Sequence, residues 1–191
     1  MNAKRIFDIV CSCIAIVLLL PLFAAIALLI KLTSREPVFF CQRRMGFMQT
    51  EFTILKFRTL QDGTGRAGID LTSKSDPRIT AIGRFLRRNR FDELPQFFNV
   101  ICGDMSVVGP RPCEITTARQ FINTFPTAVL RHCVKPDITG LAQINGRQAK
   151  TLQHLENDFA LDCEYIDKKS LTMDIVICLK PPLVMFSVRG I

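Results

Sequence analysis

The sequence contains no tryptophan, one tyrosine (Tyr165) and two histidines, His132 and His154. Stacking platforms for single-stranded nucleic acid are therefore sparse, although fifteen phenylalanines keep some aromatic surface. The histidines belong to no ligand-spaced cluster, which argues against a zinc centre. Eight cysteines are present but no CxxC, and Cys11 and Cys13 fall inside an apolar run, where they behave as small hydrophobes. This usage predicts reduced thiols in a cytoplasmic setting. No internal repeat is visible, and only one segment approaches membrane length.

What the chain has in excess is positive charge. With 191 residues it can build one domain with a real core, and its formal net charge of +8 calls for an anionic partner. Nucleic acid, anionic lipid and a phosphorylated substrate all satisfy that requirement.

The run from Ile9 to Ile30 carries no formal charge. As a straight helix it would reach about 33 Å, against a hydrocarbon core of about 30 Å. Pro21 lies near its middle and removes a backbone donor. Lys4 and Arg5 precede the run, while Lys31, Arg35, Arg43 and Arg44 follow it, so the positive-inside rule draws both ends to the cytoplasmic side. These features predict a re-entrant helix-break-helix over residues 1–34, dipping into one leaflet and returning. A kinked spanning helix remains the alternative. A cleaved signal peptide fits less well, because Leu28, Leu29 and Ile30 continue the run past Ala25-x-Ala27.

Residues 35–191 read as the globular part, so the fold class is α+β, mostly helical, with a small β-hairpin. Val38–Arg44 and Phe52–Arg58 are the hairpin strands, joined through Gly46. Gln61–Asp76 is a glycine-rich loop; its formal GxGxxG (Gly63, Gly65, Gly68) lacks the surrounding β-α-β pattern that a dinucleotide site needs. Ile79, Ile82, Phe85 and Leu86 form a helical stripe opposite Arg84, Arg87 and Arg88. Lys135–Arg147 is loop-like, Leu152–Ser170 helical, and Leu171–Leu179 an apolar helix broken by Pro181-Pro182, after which Leu183–Val188 is apolar again. The arginine-faced helix and this last stretch are the candidate interfacial elements.

Asp92 and Glu93 sit side by side in RFDELPQFFN, after four arginines in seven residues. Local rules predict one helix from Asp92 to Cys102, with Asp92 as N-cap and Gly103 as stop. That is a complete structural account of the pair. It is also compatible with chemistry: an aspartate at a helix N-terminus beside arginines stays ionised, as a carboxylate nucleophile must, and the arginines can neutralise a diphosphate approaching it. A non-enzymatic alternative is a basic membrane-anchored adaptor for anionic lipid or nucleic acid.

Several longer motifs go further. KFRTL (Lys56–Leu60), FDELPQFFNVICGDMSVVGPRP (Phe91–Pro112), KPDITGLAQINGR (Lys135–Arg147) and the Asp162, Tyr165 and Asp174 tail together resemble the bacterial sugar transferase family, the monotopic phosphoglycosyl transferases. The resemblance covers nearly the whole chain and looks like the small, catalytic-domain-only form. It implies transfer of a sugar-1-phosphate from a UDP-sugar to polyprenyl (undecaprenyl) phosphate, with Mg²⁺ assisting and UMP leaving. It further implies attack by Asp92 to give a covalent aspartyl phospho-sugar, Glu93 as its partner, and both carboxylates near the metal. Lys56, Arg58, Arg87, Arg111, Gln143 and Arg147 are the expected substrate-binding residues. Asp174 is either an acid near the site or a buried pair anchoring the C-terminal helix. The implied partners are the UDP-sugar, polyprenyl phosphate and membrane lipid, not nucleic acid, with a homodimer left open, at the cytoplasmic face of the bacterial inner membrane. The sequence departs from the family pattern at Leu20-Pro21, where Ser-Pro is common, at Asp137, where glycine is usual, and at Pro181-Pro182.

Overall fold

The computed structural model describes residues 2–34, 36–61, 76–145 and 152–187, with side chains described outside 152–155 and 181–187. The glycine-rich GxGxxG stretch and Arg147 lie outside the described residues, as do the side chains of the apolar tail from Leu183.

The chain begins with α1 (Ala3–Thr33), one helix that contains Pro21. The two separate halves expected from the sequence are thus one hydrogen-bonded element, because proline's fixed φ is itself helical and costs the ladder a donor without forcing it to end. One stripe of α1 faces the protein: Asp8, Ser12, Phe23, Ile26 and Ile30 are buried. The opposite side is apolar and exposed, including Val17, Leu18, Leu20 and Leu32.

Polar bonds tie down the start of α1. Arg5 donates to the carbonyls of Val100 (2.6 Å) and Ile101 (2.8 Å), and Asp8 accepts from Ser106 Oγ and from Val107 N at 3.1 Å. Lys4 Nζ reaches Asp174 Oδ2 at 2.7 Å, Val108 O at 3.1 Å and Tyr165 Oη at 3.2 Å. Toward its other end, Phe23, Ile26 and Ile30 pack with Phe57 and Leu86. Both ends of α1 therefore contact the same globular body.

β1 (Phe39–Met45) and β2 (Glu51–Phe57) form the expected antiparallel hairpin, in register from Phe39↔Phe57 to Met45↔Glu51. β2 has one open edge, where Asn99 stands in for a third strand. Its Oδ1 accepts from Leu55 N (2.9 Å) and its Nδ2 donates to Thr53 O (2.7 Å), so buried backbone groups are satisfied and β2 is pinned to the helix that carries Asn99.

α2 (Ala81–Arg88) is capped by Thr80, whose hydroxyl accepts from Gly83 N at 2.9 Å. Arg90 then takes a left-handed conformation (φ 56) and turns the chain into a 3₁₀ turn, Phe91–Glu93. α3 begins only at Gln96 and ends at Cys102, where Gly103 supplies the left-handed C-cap at φ 98. The expected single helix from Asp92 is corrected here. Pro95 has no N–H to offer the Phe91 carbonyl, which accepts instead from Leu94 N at 3.3 Å, so the bonding stays 3₁₀ until the proline is passed.

β3 (Ser106–Val108) pairs in parallel with β4 (Asp137–Thr139). Between them run α4 (Ile115–Thr124) and a 3₁₀ segment, Pro126–Cys133. α5 (Leu141–Asn145) follows β4, so KPDITGLAQINGR is a strand and a helix, not the loop its composition suggests. Gly140 joins them at a close approach: a Cβ there would lie 2.0 Å from Gly109 O. α6 (Leu152–Lys168) matches expectation, whereas α7 (Leu171–Ser187) continues through Pro181-Pro182, again because helical φ suits proline. Ile54, Val100, Met105, Val107, Val108, Tyr165 and Ile177 make the main core, and all eight cysteines carry free thiols.

Asp174 sits at the junction of α1, β3, α6 and α7, buried and bonded to both Lys4 and Tyr165 Oη (2.7 Å). It anchors the C-terminal helix, which is the second of its two expected roles. Asp174→Ala would strand a partly buried ammonium, so we expect a loss of about 2–3 kcal/mol, below the full cost for a buried pair because Lys4 remains partly exposed. Calorimetry should then record a melting temperature lower by roughly 4–12 °C. Asp174→Asn, which keeps an acceptor, should lose less.

Candidate active site

The site is assembled from four short segments: β2 and the residues after it, the end of α2, the 3₁₀ turn, and the Gly109–Pro112 loop after β3. Glu93 is buried at the centre. Arg111 grips it with both terminal nitrogens, Nη1 lying 3.3 Å from Oε2 and Nη2 contacting Oε1. Lys56 Nζ approaches Oε1 at 3.4 Å. Burial works to raise the Glu93 carboxyl, but Arg111 and Lys56 outweigh it and hold Glu93 well below the usual carboxylate range. Reciprocally, the Glu93 charge pushes Arg111 up. The pair is a bidentate, charge-assisted contact that fixes the guanidinium plane.

Asp92 differs from its neighbour. None of the described residues hydrogen-bonds its carboxylate, which is half-buried. Burial pushes the group above the ordinary aspartate value of 3.8, the Glu93 charge adds to this, and Lys56, Arg87 and Arg111 pull it back only in part. The expectation of an aspartate kept ionised by a helix N-terminus is therefore corrected: α3 starts after Asp92, and desolvation dominates. What remains is an unclaimed, destabilised carboxylate facing three cations. A bound phosphate group would be drawn to the same cations.

Arg87 is held for this position by Thr59, whose Oγ1 accepts from Nε at 2.8 Å. Arg58 turns elsewhere: its Nε donates to Pro37 O (3.0 Å) and its guanidinium covers Phe40 at 5.9 Å. Gln143 donates to Asp137 Oδ1 at 2.9 Å, one step behind the arginine loop, where Asp137 Oδ2 accepts from Gly109 N at 3.2 Å. Asp137 is fully enclosed, and burial pushes its carboxyl well up. The structure thus brings together Asp92, Glu93, Lys56, Arg87 and Arg111, sets Gln143 behind them, and leaves Arg58 and Asp174 apart. Thr59 and Arg131 were missed by sequence reasoning; Thr59 is visible only as the residue after Arg58 in KFRTL, and nothing local marks Arg131.

Among the described residues, no cluster of three or more His, Cys, Asp or Glu could hold a metal ion by itself. The donor set does fit Mg²⁺ shared with a ligand, since that ion takes one or two carboxylates together with phosphate oxygens and water. Asp92 is the free donor; the oxygens of Glu93 are already engaged by Arg111 and Lys56.

Comparison with known proteins agrees with the motifs. The family model for bacterial sugar transferases matches residues 1–188. An undecaprenyl-phosphate glucose phosphotransferase of Komagataeibacter xylinus is 44% identical over 93% of this chain and 34% of its own length. A UDP-N-acetylgalactosamine-undecaprenyl-phosphate N-acetylgalactosaminephosphotransferase of Aeromonas hydrophila is 41% identical over 93% of this chain and 42% of its own length. The exopolysaccharide production protein PSS of Rhizobium leguminosarum bv. phaseoli is 41% identical over 91% of this chain and 90% of its own length. The chain spans between a third and about two fifths of the first two relatives and nearly all of the third. With residues 1–188 matched by the family model and the site motifs gathered in one place, this chain belongs to the bacterial sugar transferase family.

Proposed function

We propose that the chain transfers a sugar-1-phosphate from a UDP-sugar to polyprenyl phosphate in two displacements. The observation that carries this reading is the unclaimed Asp92 carboxylate beside a Glu93 already neutralised by Arg111 and Lys56. An Asp92 oxygen attacks the phosphorus that bears the sugar. The bond from that phosphorus to the bridging oxygen breaks, and UMP leaves with the electron pair. An oxygen of polyprenyl phosphate then attacks the same phosphorus and releases Asp92. One phosphoanhydride is exchanged for another through an acyl phosphate, so charge placement does most of the work. Lys56, Arg87 and Arg111 neutralise the diphosphate. Their attraction to it also relieves the pull that keeps Glu93 occupied.

Mg²⁺ would be held by Asp92, with Glu93 beside it engaged by Arg111 and Lys56, and would supply further charge neutralisation. The chain's own part is to aim Asp92 by the Arg90 turn and to hold the arginines by Thr59 and Glu93.

The proposed setting is the cytoplasmic face of the bacterial inner membrane. The exposed apolar side of α1, together with Phe85, Phe98 and Ile101 beside it, offers a lipid-facing surface. Contacts at both ends of α1 to one globular body favour re-entry over a span, because a spanning helix would carry its ends to opposite sides. Single cysteines placed at Asn2 and at Ser34 of a variant lacking native thiols should label from the same side of sealed vesicles; opposite sides would restore the span.

Relatives named for glucose and for N-acetylgalactosamine match at nearly equal identity, so overall similarity does not choose the sugar. A panel of UDP-sugars with undecaprenyl phosphate, read as UMP release, tests the function. Release with at least one sugar, dependent on the lipid phosphate for sustained turnover, is expected. No release with any sugar would overturn the reading.

A further inference from the structure

Arg111 is gripped at its side chain by Glu93. A separate set of contacts, absent from the chemistry above, holds its backbone. Arg131, on the 3₁₀ segment before β4, is nearly enclosed, and its guanidinium makes three bonds. Nη2 donates to the Arg111 carbonyl at 3.0 Å and to Asp162 Oδ2 at 2.8 Å, while Nη1 donates to Cys113 Sγ at 2.9 Å. Asp162, on α6, is itself buried. Pro110 and Pro112 limit the torsions of the loop, but neither proline sets where the loop lies relative to Glu93. Arg44 Nη1 reaches Pro112 O at 3.4 Å and Asp137 Oδ2 accepts from Gly109 N at 3.2 Å, but among the described residues Arg131 is the charged side chain on the Arg111 carbonyl itself, and Asp162 is the carboxylate that pairs with it.

From this geometry we infer that Arg131 and Asp162 are positioning residues, which set the Arg111 guanidinium against the reacting phosphate by holding the backbone of the Gly109–Cys113 loop. The inference rests on the proposed phosphoglycosyl transfer. A fork of donors suits this set, since Nη1 reaches the sulfur while Nη2 serves the carbonyl and the carboxylate, a spread over two fixed nitrogens that the single nitrogen of an ammonium does not reproduce. A carboxylate is required because an unpaired guanidinium in this setting would be too costly to keep buried. A displacement of about 1 Å in a positioning group costs on the order of a hundredfold in rate, so a modest shift of the loop is enough to register.

Asp162 also gives the pair a pH signature. Burial pushes its carboxyl up to about 6, Asp158 on the same helix adds to this, and Arg131 opposes it. Cys163 is its neighbour on α6, and Asp137, on β4, feels its charge. A carboxyl raised on folding contributes most stability when protonated, below its ordinary 3.8, and loses that contribution as pH rises through about 6. The grip on Arg131 strengthens over the same interval as Asp162 ionises. A positioning role therefore makes activity rise while this group's share of stability falls.

The test compares wild type with Asp162→Asn, Asp162→Glu and Arg131→Lys in membranes. We expect kcat for UMP release to fall about ten- to a hundredfold in Asp162→Asn and Arg131→Lys, with KM for the UDP-sugar changed by less than about threefold. Asp162→Glu should recover part of the loss. The wild-type rate profile should carry a step near pH 6 that Asp162→Asn lacks. Hydrogen exchange over residues 109–114 should quicken in Asp162→Asn, with exchange in β1 and β2 unchanged. Unchanged kcat, or a loss matched by unfolding throughout the protein, would overturn the inference. If wild-type protein released no UMP, the proposed function would fail; the exchange comparison would still decide the grip, and unaltered exchange at 109–114 would overturn it.

Discussion

Asp92→Asn should abolish turnover, by at least about a thousandfold, without lowering the melting temperature. The two halves of this expectation come from one observation. Burial and the Glu93 charge raise the Asp92 carboxyl in the folded protein. A raised carboxyl contributes stability when protonated, below its ordinary 3.8, and loses that contribution as pH rises through its folded value. At neutral pH the charged form is therefore a cost to the fold. An amide of the same shape removes that cost together with the proposed nucleophile, so the variant should melt at the same temperature as wild type or higher. Loss of activity with an unchanged or raised melting temperature is the pattern of a functional group maintained against stability. A lowered melting temperature would instead identify Asp92 as a structural acid.

Arg111→Lys carries the second large effect, a fall of about 10²–10³ in kcat/KM. The substitution keeps the charge and loses the fork. Arg111 contacts both oxygens of Glu93, with Nη1 3.3 Å from Oε2, and a lysine could satisfy one of them at most. Glu93 would then recover part of its freedom, and its charge would act more strongly on the adjacent Asp92. Both changes weaken the attack: the phosphate loses a fixed pair of donors, and Asp92 is harder to ionise. Unimpaired turnover in Arg111→Lys would mean that the guanidinium serves only the loop. Because the native pair is partly open to water, the stability cost should be small beside the catalytic one.

Parts of this arrangement are readable along the chain because they are local. The alternation in Val38–Arg44 and Phe52–Arg58 gives the hairpin, and the run from Ile9 to Ile30 gives the long apolar helix. Asp92 stands out because Arg84, Arg87, Arg88 and Arg90 precede it within a few residues. Other parts depend on contacts that no local rule encodes. Lys4 meets Asp174 across 170 positions, so the first reads as a flanking charge and the second as a candidate site acid. The β3–β4 pairing joins two three-residue strands separated by α4, and neither is long enough to show a period. The helix start at Gln96 was misplaced for a different reason: N-cap rules favour Asp92, but the donor missing at Pro95 delays the ladder. Arg58 and Lys56 share a strand face by spacing, yet Arg58 is drawn to Glu36 and Phe40 at the end of the hairpin, and only Lys56 reaches Glu93.

The central claim is that phosphorus passes through Asp92, and trapping the intermediate tests it most directly. Membrane protein is mixed with a turned-over UDP-sugar in the absence of polyprenyl phosphate, quenched and digested with trypsin. Cleavage after Arg90 isolates a peptide that begins at Phe91 and passes through Arg111, which Pro112 protects. The account expects that peptide to gain the mass of one phospho-sugar on Asp92, in step with a single burst of UMP, and to lose it when undecaprenyl phosphate is added. An unmodified Asp92, with UMP appearing only once the lipid phosphate is present, would contradict the account and point to direct attack by the lipid phosphate.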